Sequence, residues 1–530
     1  RENLALSSND ISTQSTFWSQ NQGGATTQNS AVAPDGTTTA STITGNGSNQ
    51  YSGVSQIIGL NASRYTYSVY LKSVSGTPLV SLIYTDPNGL LKADFNLNTS
   101  WQRYDFTFTA TTGNNSIYIT TAEAVSWNAW GAQFELGLVA TDVLTSGATT
   151  AKAGVLIDLP RINYDANGEN GALLLEPSRQ QLIQYSEYFG DSSWTKGEVT
   201  TTDNAVESPD GYVNAAAMVE NSAVTAYHRI LPTSPFFATA SAYYSFSVYV
   251  KKIAGQPTRH IYWMCQKGAD AIYAHFDMDD FSVNEQNDSG TGSVVDADIV
   301  PVGNDWYRLT LSGIVTTAGG SSYNQLYFED SPSTGFNPTP YTGNGSSGFE
   351  IYGWQIEAGS YPTSYIPNHS GTGGVTRAAD SCSVTGASDV IGQTEGTLYA
   401  EAKIKGLKNS NTIVTLHNGS FSEYLVIAGN NSGNINAYIF AGGVQQAGIF
   451  SGTYAVDSVV KCAMAYKEND VAFYINGVLI GTDSSATMAS TSVFDVGSIS
   501  FGNYPLHGTI KQATLFNERL SNAELAALTA

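Results

Sequence analysis

The sequence predicts an all-β chain of three tandem β-sandwich domains with a connecting β-hairpin and one short C-terminal helix. Three observations lead to this fold class. Aromatic residues make up 11% and hydrophobic residues 41% of the 530 residues, enough apolar surface to build cores. β-Branched and aromatic residues alternate with polar ones in short runs between Gly and Asn turns, as strands do. One such run occurs twice, which indicates a tandem repeat.

The repeated run is residues 130–135 (WGAQFE) and 352–357 (YGWQIE). Both copies read large apolar, Gly, apolar, Gln, apolar, Glu. Successive side chains of a strand point to opposite faces, so we expect the apolar residues on apolar faces and the Gln and Glu on polar ones. Each run is predicted to be the closing strand of a sandwich. Its repeated Glu is predicted to make a structural hydrogen bond and not to act in catalysis.

Other features recur in the same order and define the domains. Each copy has a Pro-Asp-Gly turn, a strand that ends in Lys, and a Trp-x-Arg sequence before the closing strand. They predict a first sandwich at 1–145 and a second at 179–380. The second copy carries an insertion at 252–305, which should form extra hairpins or a large loop. Loops on a rigid scaffold are frequent binding sites.

Residues 146–178 predict a hairpin that connects the two copies. Two apolar runs, 154–164 and 172–177, flank Asn167-Gly168, a dipeptide that favours a tight hairpin turn. A hairpin alone is marginally stable in water, so we expect it to pack against a neighbouring domain or chain.

The C-terminal part, 381–530, predicts a third sandwich. It follows a Gly-rich joint at 371–374 and again alternates apolar and polar residues. Its last segment predicts a helix, with Ser521 as N-cap and Glu524 completing a capping box.

Charge and cysteine content argue against several function classes. The net charge is -22, and the 23 Lys and Arg residues form no basic stripe, so we expect no nucleic-acid partner. No apolar run is long enough for membrane insertion. Cys265, Cys382 and Cys462 lack C-x-x-C spacing, so neither a zinc cluster nor a disulfide framework is indicated.

Several segments carry a resemblance to known families. In the second copy they are Trp194, Pro209-Asp210-Gly211, 246–251, Trp306-Tyr307-Arg308, 353–357 and 363–367. Through them the copies resemble the jelly-roll, carbohydrate-binding-module-type domains of bacteriophage fibre and other virion proteins. The connector, through 159–162 and 174–179, is similar to connectors in phage tail and head fibres. Residues 381–530 resemble a concanavalin A-like, laminin-G-type lectin sandwich through 473–477, 508–513 and 520–525.

The resemblance implies a virion fibre or appendage protein that attaches to a bacterial surface glycan. It further implies a homotrimer, contacts with other virion proteins and a location on the surface of the particle. Two alternatives stay open. One is a secreted bacterial protein that binds or degrades polysaccharides; the other is a purely architectural virion part with vestigial lectin folds.

The sequence lacks the motifs of the common catalytic centres. There is no Gly-x-Ser-x-Gly elbow, no Gly-rich phosphate loop and no His-Glu-x-x-His. The C-terminal domain also lacks the Glu-x-Asp-x-x-Glu spacing that concanavalin-like hydrolases carry on one strand. We therefore predict a chain that is not an enzyme and needs no cofactor.

A sugar site needs aromatic rings against the C–H faces of the sugar and polar groups for its hydroxyls. The residues that suit these roles are Trp127, His260, Tyr262, Tyr323 and Tyr327. For each of them the alternative is a place in a hydrophobic core. Trp263 is assigned to the core, and Tyr262 and His260 would then face outward.

The acidic insertion offers the one candidate for a metal ion. Asp277, Asp279 and Asp280 supply oxygen ligands of the kind that Ca²⁺ prefers, although their spacing is not that of an EF-hand loop. A structural calcium ion is therefore an open alternative to no metal at all.

Overall fold

A computed structural model describes residues 1–152, 160–164, 168–222, 225–233, 242–315, 323–371, 374–406, 411–499 and 504–530. The chain divides into two compact units, Arg1–Leu156 with Gln181–Val375, and Ile157–Gln180 with Thr376–Ala530. The first unit contains two sandwiches and the second contains one. The predicted all-β fold class is confirmed, since strands dominate and one α-helix lies in the described residues.

The first sandwich packs two five-stranded sheets face to face. Their strand orders are β2-β5-β10-β7-β8 and β3-β4-β11-β6-β9. The strands are β1 (Glu2–Asn3), β2 (Ser19–Asn21), β3 (Ala25–Ala31), β4 (Ala40–Thr44), β5 (Ser52–Leu60), β6 (Ser63–Ser73), β7 (Leu79–Asp86), β8 (Gly89–Asn96), β9 (Gln102–Ala110), β10 (Gly113–Thr121), β11 (Ser126–Leu136) and β12 (Ala151–Lys152).

Two short strands of the connector follow, β13 (Ile162–Asn163) and β14 (Ala172–Leu175). They pair with each other as the predicted hairpin requires. The predicted run 154–159 and Asn167 of the turn lie outside the described residues.

The second sandwich packs two six-stranded sheets, with orders β16-β20-β27-β22-β23-β24 and β17-β18-β29-β21-β26-β25. The strands from here to the third sandwich are β15 (Arg179–Gln181), β16 (Trp194–Gly197), β17 (Val199–Val206), β18 (Ala215–Glu220), β19 (Thr225–Ala226), β20 (Arg229–Pro232), β21 (Tyr243–Lys252), β22 (His260–Lys267), β23 (Asp270–Asp277), β24 (Ser282–Ser289), β25 (Ser293–Gly303), β26 (Trp306–Ile314), β27 (Tyr323–Glu329), β28 (Tyr341–Thr342), β29 (Gly348–Ala358) and β30 (Val375–Arg377).

The five strands of each sheet in the first sandwich correspond, in order, to five strands of a sheet in the second. Each sheet of the second sandwich has one additional strand at its edge. Those extra strands are β24 and β25, which follow one another within the predicted insertion. The other two strands of the predicted insertion, β22 and β23, take the positions of β7 and β8, so its extra part is limited to β24, which pairs with β23 in one sheet, and β25, which pairs with β26 in the other. Its exposed edge residues explain why the segment reads as polar and acidic.

The third sandwich packs a seven-stranded sheet, β13-β14-β41-β32-β37-β38-β39, on a six-stranded sheet, β31-β40-β33-β34-β35-β36. The connector hairpin is part of the larger sheet, because β14 pairs with β41. Its remaining elements are β31 (Cys382–Thr385), a 3₁₀ turn (Ala387–Asp389), β32 (Glu395–Ile404), β33 (Asn411–His417), β34 (Tyr424–Gly429), β35 (Asn434–Ala441), β36 (Val444–Thr453), β37 (Val459–Lys467), β38 (Val471–Ile475), β39 (Val478–Asp483), β40 (Val493–Val496), β41 (Gly508–Phe516) and α1 (Asn522–Thr529).

The predicted C-terminal helix is present as α1. Ser521 caps it, and the side chain of Glu524 bonds back to the backbone of Ser521, which completes the capping box. Leu525 of α1 is fully buried against the outer side of the seven-stranded sheet. No helix in the described ranges is long and apolar enough to cross a membrane.

The repeated closing strands are β11 and β29, and each contains a β-bulge at its glycine. Gly131 and Gly353 have φ of 67° and 60°, and the register with the neighbouring strand shifts beside them. The bulge changes which face a side chain occupies. Trp130 thus lies in a small cluster outside the main core, whereas Phe134 lies inside it.

The repeated Gln and Glu are buried, which corrects their expected place on polar faces. Glu357 is 0% exposed and accepts a hydrogen bond from the Thr363 hydroxyl at 2.8 Å, while Gln355 accepts one from the Ile366 N–H at 2.7 Å. Glu135 binds Thr141 in the same way in the first copy. These carboxylates hold the segment after the closing strand, so the predicted structural role is confirmed.

Candidate functional site

Four of the five predicted sugar-binding residues lie on one face of one sheet in the second sandwich. Tyr262 pairs with Tyr327 across β22 and β27, His260 lies opposite Glu329, and Gln266 lies opposite Tyr323. Paired side chains share a face, so His260, Tyr262, Tyr323 and Tyr327 all point away from the core. We call this surface the tyrosine face; it comprises Arg229, His260, Tyr262, Met264, Tyr273, His275, Tyr323, Gln325, Tyr327 and Glu329.

Alternation along the strands separates this face from the core beneath it. Ile261, Trp263 and Cys265 alternate with the residues of the tyrosine face and are 0% exposed within the hydrophobic core. The assignment of Trp263 to the core is therefore confirmed. A rigid, fully packed sheet thus fixes the positions of the outward side chains.

The centre of the tyrosine face is a cluster of aromatic rings. The ring centre of Tyr262 lies 5.7 Å from that of Tyr273, 5.7 Å from that of Tyr327 and 4.5 Å from that of His275. Phe336 packs on the edge of Tyr273 at 5.7 Å. Such spacings are those of favourable edge and tilted aromatic pairs.

A loop covers one end of the tyrosine face, so Tyr262 is 0% exposed where exposure was expected. The hydroxyl of Tyr262 donates to the carbonyl of Phe336. His275 contacts the carbonyl of Gly335 through Nε2 at 2.8 Å and Glu329 through Nδ1 at 3.0 Å. We call residues 333–336 the covering loop.

The charges under the covering loop are paired. Burial disfavours the charged form of His275, but the bonds to Glu329 and Gly335 outweigh this effect and raise the pKa of His275. On the other side, the Gly335 N–H donates to Glu285 at 2.6 Å and lowers the pKa of that carboxyl. Both the N–H and the carbonyl of Gly335 are thus hydrogen-bonded to side chains of the sheet.

The other end of the tyrosine face reaches solvent through two tyrosines. Tyr323 is 44% and Tyr227 is 45% exposed, and the Tyr227 ring meets the edge of Tyr327 at 5.9 Å. Between them Arg229 donates to Gln325 at 3.1 Å and to the Tyr327 hydroxyl at 3.0 Å. This end therefore combines exposed rings with a fixed cation and amide, the groups that a sugar site requires.

The remaining predicted residue, Trp127, lies in the first sandwich and contributes to its core. Its side chain is 0% exposed on β11, whose neighbours in that core include Ile43 and Leu71. An indole in this place offers no face to a ligand. The sequence does not distinguish this core indole from an exposed one, because aromatic residues occur at both inward-facing and outward-facing positions of a strand.

Arg229, His275, Gln325 and Glu329 were not among the predicted site residues. A signal for two of them was present, since Tyr323, Gln325, Tyr327 and Glu329 alternate with the core residues Leu326 and Phe328. His275 and Arg229 belong to strands that pair with these only in the folded sheet. Their participation depends on register, which alternation alone does not give.

The predicted calcium residues are only partly brought together. Asp277 and Asp279 lie with His260, and the three offer ligand atoms within 4.8 Å of one another. Asp280 instead accepts a hydrogen bond from the Ser282 hydroxyl at 2.6 Å.

A cleft of about 870 Å³ lies between the two sandwiches of the first unit. Tyr352 donates to Asp210 at 2.8 Å and lies 3.3 Å from Glu187, whose burial raises the pKa of its carboxyl to about 8. Burial also lowers the pKa of His369 on the same wall to about 4. None of the predicted site residues lines this cleft.

The third sandwich carries an aromatic strip on the outer side of its six-stranded sheet. Tyr424 and Phe440 stack with ring centres 4.7 Å apart, and Phe421 connects Tyr424 to Tyr504. Phe421 is 49% and Tyr504 is 52% exposed. These rings form a second exposed platform.

Comparison with known families identifies the C-terminal domain. Residues 376–526 match the model of the concanavalin A-like lectin/glucanases superfamily. A search of curated proteins found no match.

Three solved structures illustrate the similarity to parts of the chain. One is the CBM40 of the Ruminococcus gnavus IT-sialidase (18% identity, 27% of this chain and 87% of that chain, TM-score 0.25). Another is the CBM22-1-CBM22-2 tandem of Paenibacillus barcinonensis Xyn10C (15% identity, 68% and 98%, TM-score 0.25). A third is the heptameric SAP-like pentraxin of Limulus polyphemus (11% identity, 26% and 70%, TM-score 0.22).

The family match agrees with the β-sandwich seen in the same residues. It bears out the resemblance on which a lectin-type domain was predicted. The C-terminal domain of this chain is therefore a β-sandwich that matches the concanavalin A-like lectin/glucanases superfamily.

Proposed function

We propose that this chain is a non-catalytic fibre or appendage protein of a bacteriophage virion, which attaches the particle to a bacterial surface glycan. The observation that carries glycan attachment is the tyrosine face, where His260, Tyr262, Tyr323 and Tyr327 share one surface. The match of the C-terminal domain to a superfamily that includes lectins supports glycan binding. The virion setting rests on the resemblance to phage fibres.

The solvent end of the tyrosine face supplies the contacts for a sugar. The exposed rings of Tyr227 and Tyr323 offer apolar surfaces for sugar C–H groups. Arg229 and Gln325 are already fixed to each other. Because the Gln325 Oε1 accepts from Arg229 and from the Tyr327 hydroxyl, both side chains present N–H donors to sugar hydroxyls at little entropic cost. A chain of sugar rings would lie across the strands from Tyr227 to Tyr323.

The aromatic strip of the third sandwich supplies a second contact in this proposal. Two weak sites on one chain raise the effective affinity for a repetitive polymer, because the second contact becomes intramolecular. A homotrimer on the particle, held by other virion proteins, would multiply the number of sites again. Bacterial capsules and lipopolysaccharides are repetitive polymers of this kind.

The test is binding of the full chain to an array of bacterial surface polysaccharides. Tyr323→Ala removes one exposed ring, and we expect about three- to tenfold weaker binding, as the loss of ~1 kcal/mol of ring contact implies. Tyr243→Ala is the matched control, since Tyr243 is 45% exposed but lies on the other sheet. Equal affinities of the two variants, or no binding by the wild type, would refute the proposed site.

The oligomeric and virion parts of the proposal have their own tests. Mass photometry of the purified chain is expected to give a species of three times 56.3 kDa. Antibodies against the chain are expected to label fibres on intact particles from the same host. A monomeric mass would contradict the trimer, and antibodies that label no particle would contradict the virion location.

A second candidate is a secreted bacterial protein that degrades polysaccharides. One observation favours it, namely that the superfamily matched by residues 376–526 includes glucanases as well as lectins. Release of reducing ends from the array polysaccharides by the purified chain decides between the two. We expect none.

A further inference from the structure

The cleft between the first two sandwiches contains two titratable side chains that neither the tyrosine face nor the aromatic strip uses. Glu187 is 3% exposed and lines the cleft together with His369. The His369 carbonyl accepts a hydrogen bond from the Arg64 N–H of the first sandwich at 3.1 Å. The Asn204 side chain donates to the Leu138 carbonyl at 3.1 Å. The two walls of the cleft are therefore bonded to each other.

The carboxyl of Glu187 holds its proton on the oxygen nearer to His369. Burial raises the pKa of Glu187 to about 8, so the carboxyl is mostly protonated at pH 7. Its Oε1 accepts from the Tyr365 hydroxyl at 3.1 Å, whereas the Tyr352 hydroxyl donates to Asp210 at 2.8 Å. No described residue is hydrogen-bonded to Oε2. The proton therefore lies on Oε2, where a ligand can accept it.

The imidazole of His369 is neutral and keeps its ring nitrogens available. Burial lowers the pKa of His369 to about 4, so the ring carries no charge at pH 7. Its Nδ1 lies 4.0 Å from a carboxyl oxygen of Glu187, Oε2, which is too long for a hydrogen bond. Neither ring nitrogen is hydrogen-bonded within the described ranges, and the side chain is 11% exposed.

A hydroxyl group fits the gap between Oε2 of Glu187 and Nδ1 of His369. An oxygen placed ~2.8 Å from both atoms would be at ordinary hydrogen-bond length from each. It would accept the proton of Glu187, and it could donate to Nδ1 or accept from it, because a hydroxyl is both donor and acceptor. The two flanking groups are uncharged at pH 7, so they favour a neutral group over an ion.

The rest of the lining suits the apolar side of a sugar ring. Leu136, Leu138 and Pro367 lie in the wall beside Glu187 and His369. Small-molecule sites have volumes of ~300–1,000 Å³, occur at domain interfaces and combine apolar walls with a few convergent polar groups. The cleft meets each of these conditions with its 870 Å³. A sugar can pack its C–H groups on the apolar wall while a hydroxyl reaches the polar pair.

We propose that this cleft is a further glycan site, which holds one uncharged sugar unit with a hydroxyl between Oε2 of Glu187 and Nδ1 of His369. The tyrosine face is open along its strands and suits a chain of rings. The cleft is bounded by two walls and suits a single unit, such as the end of a chain. None of its contacts comes from the tyrosine face, so the site stands without that part of the proposed function.

Saturation-transfer NMR of the full chain with D-glucose, D-galactose, D-mannose and N-acetyl-D-glucosamine, each alone, tests the site. We expect at least one sugar to give a saturable signal at pH 7. Leu136 is 48% exposed, so Leu136→Trp fills the cleft from its surface and should remove the signal. Leu91→Trp is the matched control, since Leu91 is 46% exposed and lies outside the cleft.

The absence of a signal from the wild type would overturn the cleft site. Equal signals from Leu136→Trp and Leu91→Trp would place the sugar elsewhere on the chain and overturn it as well. The comparison of Tyr323→Ala with Tyr243→Ala on the polysaccharide array reports on the tyrosine face, so the two proposals can fail separately.

Two further substitutions separate a neutral hydroxyl from a cation in the cleft. His369→Phe keeps the ring shape and removes both nitrogens, so we expect at least fivefold weaker binding of the sugar, as for the loss of one hydrogen bond. Glu187→Gln keeps a neutral donor and an acceptor for Tyr365, so it should change binding less than twofold. Equal losses in both variants would indicate an ionised carboxylate and reject the neutral sugar. If His369→Phe misfolds by circular dichroism, the two Trp variants decide.

Discussion

At the scale of single residues, one glycine in each copy determines which face of the closing strand the neighbouring side chains occupy. Gly353 adopts a φ of 60° at the bulge, which moves Tyr352 to the outer cluster and Trp354 to the core. The motif itself was readable in the sequence. The bulge was not, since a period-2 reading assumes an unbroken strand.

Gly353→Ala is predicted to destabilise the second sandwich for two reasons. A side chain at this φ costs ~1–2 kcal/mol. A Cβ would also lie 3.1 Å from the Tyr249 ring and 3.2 Å from Tyr365. We expect a loss of about 2–3 kcal/mol in urea unfolding, since tight contact adds to the backbone cost.

Gly211→Ala separates the two reasons. Gly211 has a φ of 85°, but nothing lies within 4 Å of a Cβ built there. It should therefore lose only the backbone part, ~1 kcal/mol. Equal losses for the two variants would show that the packing around the bulge contributes nothing.

At the scale of elements, the sequence predicted which side chains around Trp263 point outward but not the loop that covers the tyrosine face. Alternation around Trp263 placed Tyr262 and His260 on the outer side, and the register confirms that side. Residues 333–336 carry no pattern that indicates contact with this face. Their hydrogen bonds to His275, Glu285 and Glu329 form only after two distant strands have paired.

The covering loop is predicted to be more weakly held at high pH. The pKa of His275 is raised in the folded chain, so its contribution to stability is complete below ~6.5, the ordinary histidine value, and is lost as pH rises through the raised pKa. Neutral His275 can donate to Gly335 or to Glu329 but not to both. We expect limited proteolysis at 330–337 to accelerate from pH 6 to pH 9.

His275→Gln provides the control for this prediction. A glutamine keeps one donor without a titrating group, so its cleavage rate should follow only the activity of the protease across the same pH range. If the wild-type and variant chains show the same pH dependence of the cleavage rate, His275 does not hold the covering loop.

At the scale of the whole molecule, duplication accounts for most of what the sequence predicted. Four features repeated in order predicted two related sandwiches, and their strand orders agree. The predicted insertion, 252–305, was too long, because β22 and β23 within it correspond to β7 and β8 of the first copy and only β24 and β25 are extra. A strand at a sheet edge is half solvated, so β24 and β25 have the polar composition of a loop.

The site was predictable to the extent that it depends on strand alternation. Trp127 shows the limit, because an aromatic residue on a strand fits a core and a binding face equally well until the register is known. The cleft carboxyl Glu187 shows another limit, since its surroundings come from Tyr352 and Tyr365, far along the chain.

Hydrogen exchange by mass spectrometry tests the central claim most directly. The full chain is measured with and without the polysaccharide that binds best on the array. We predict slower exchange in β20, β22 and β27, the strands under Arg229, Tyr262 and Tyr323. Unchanged exchange in all three strands, with bound polysaccharide, would contradict the tyrosine face as the glycan-binding surface.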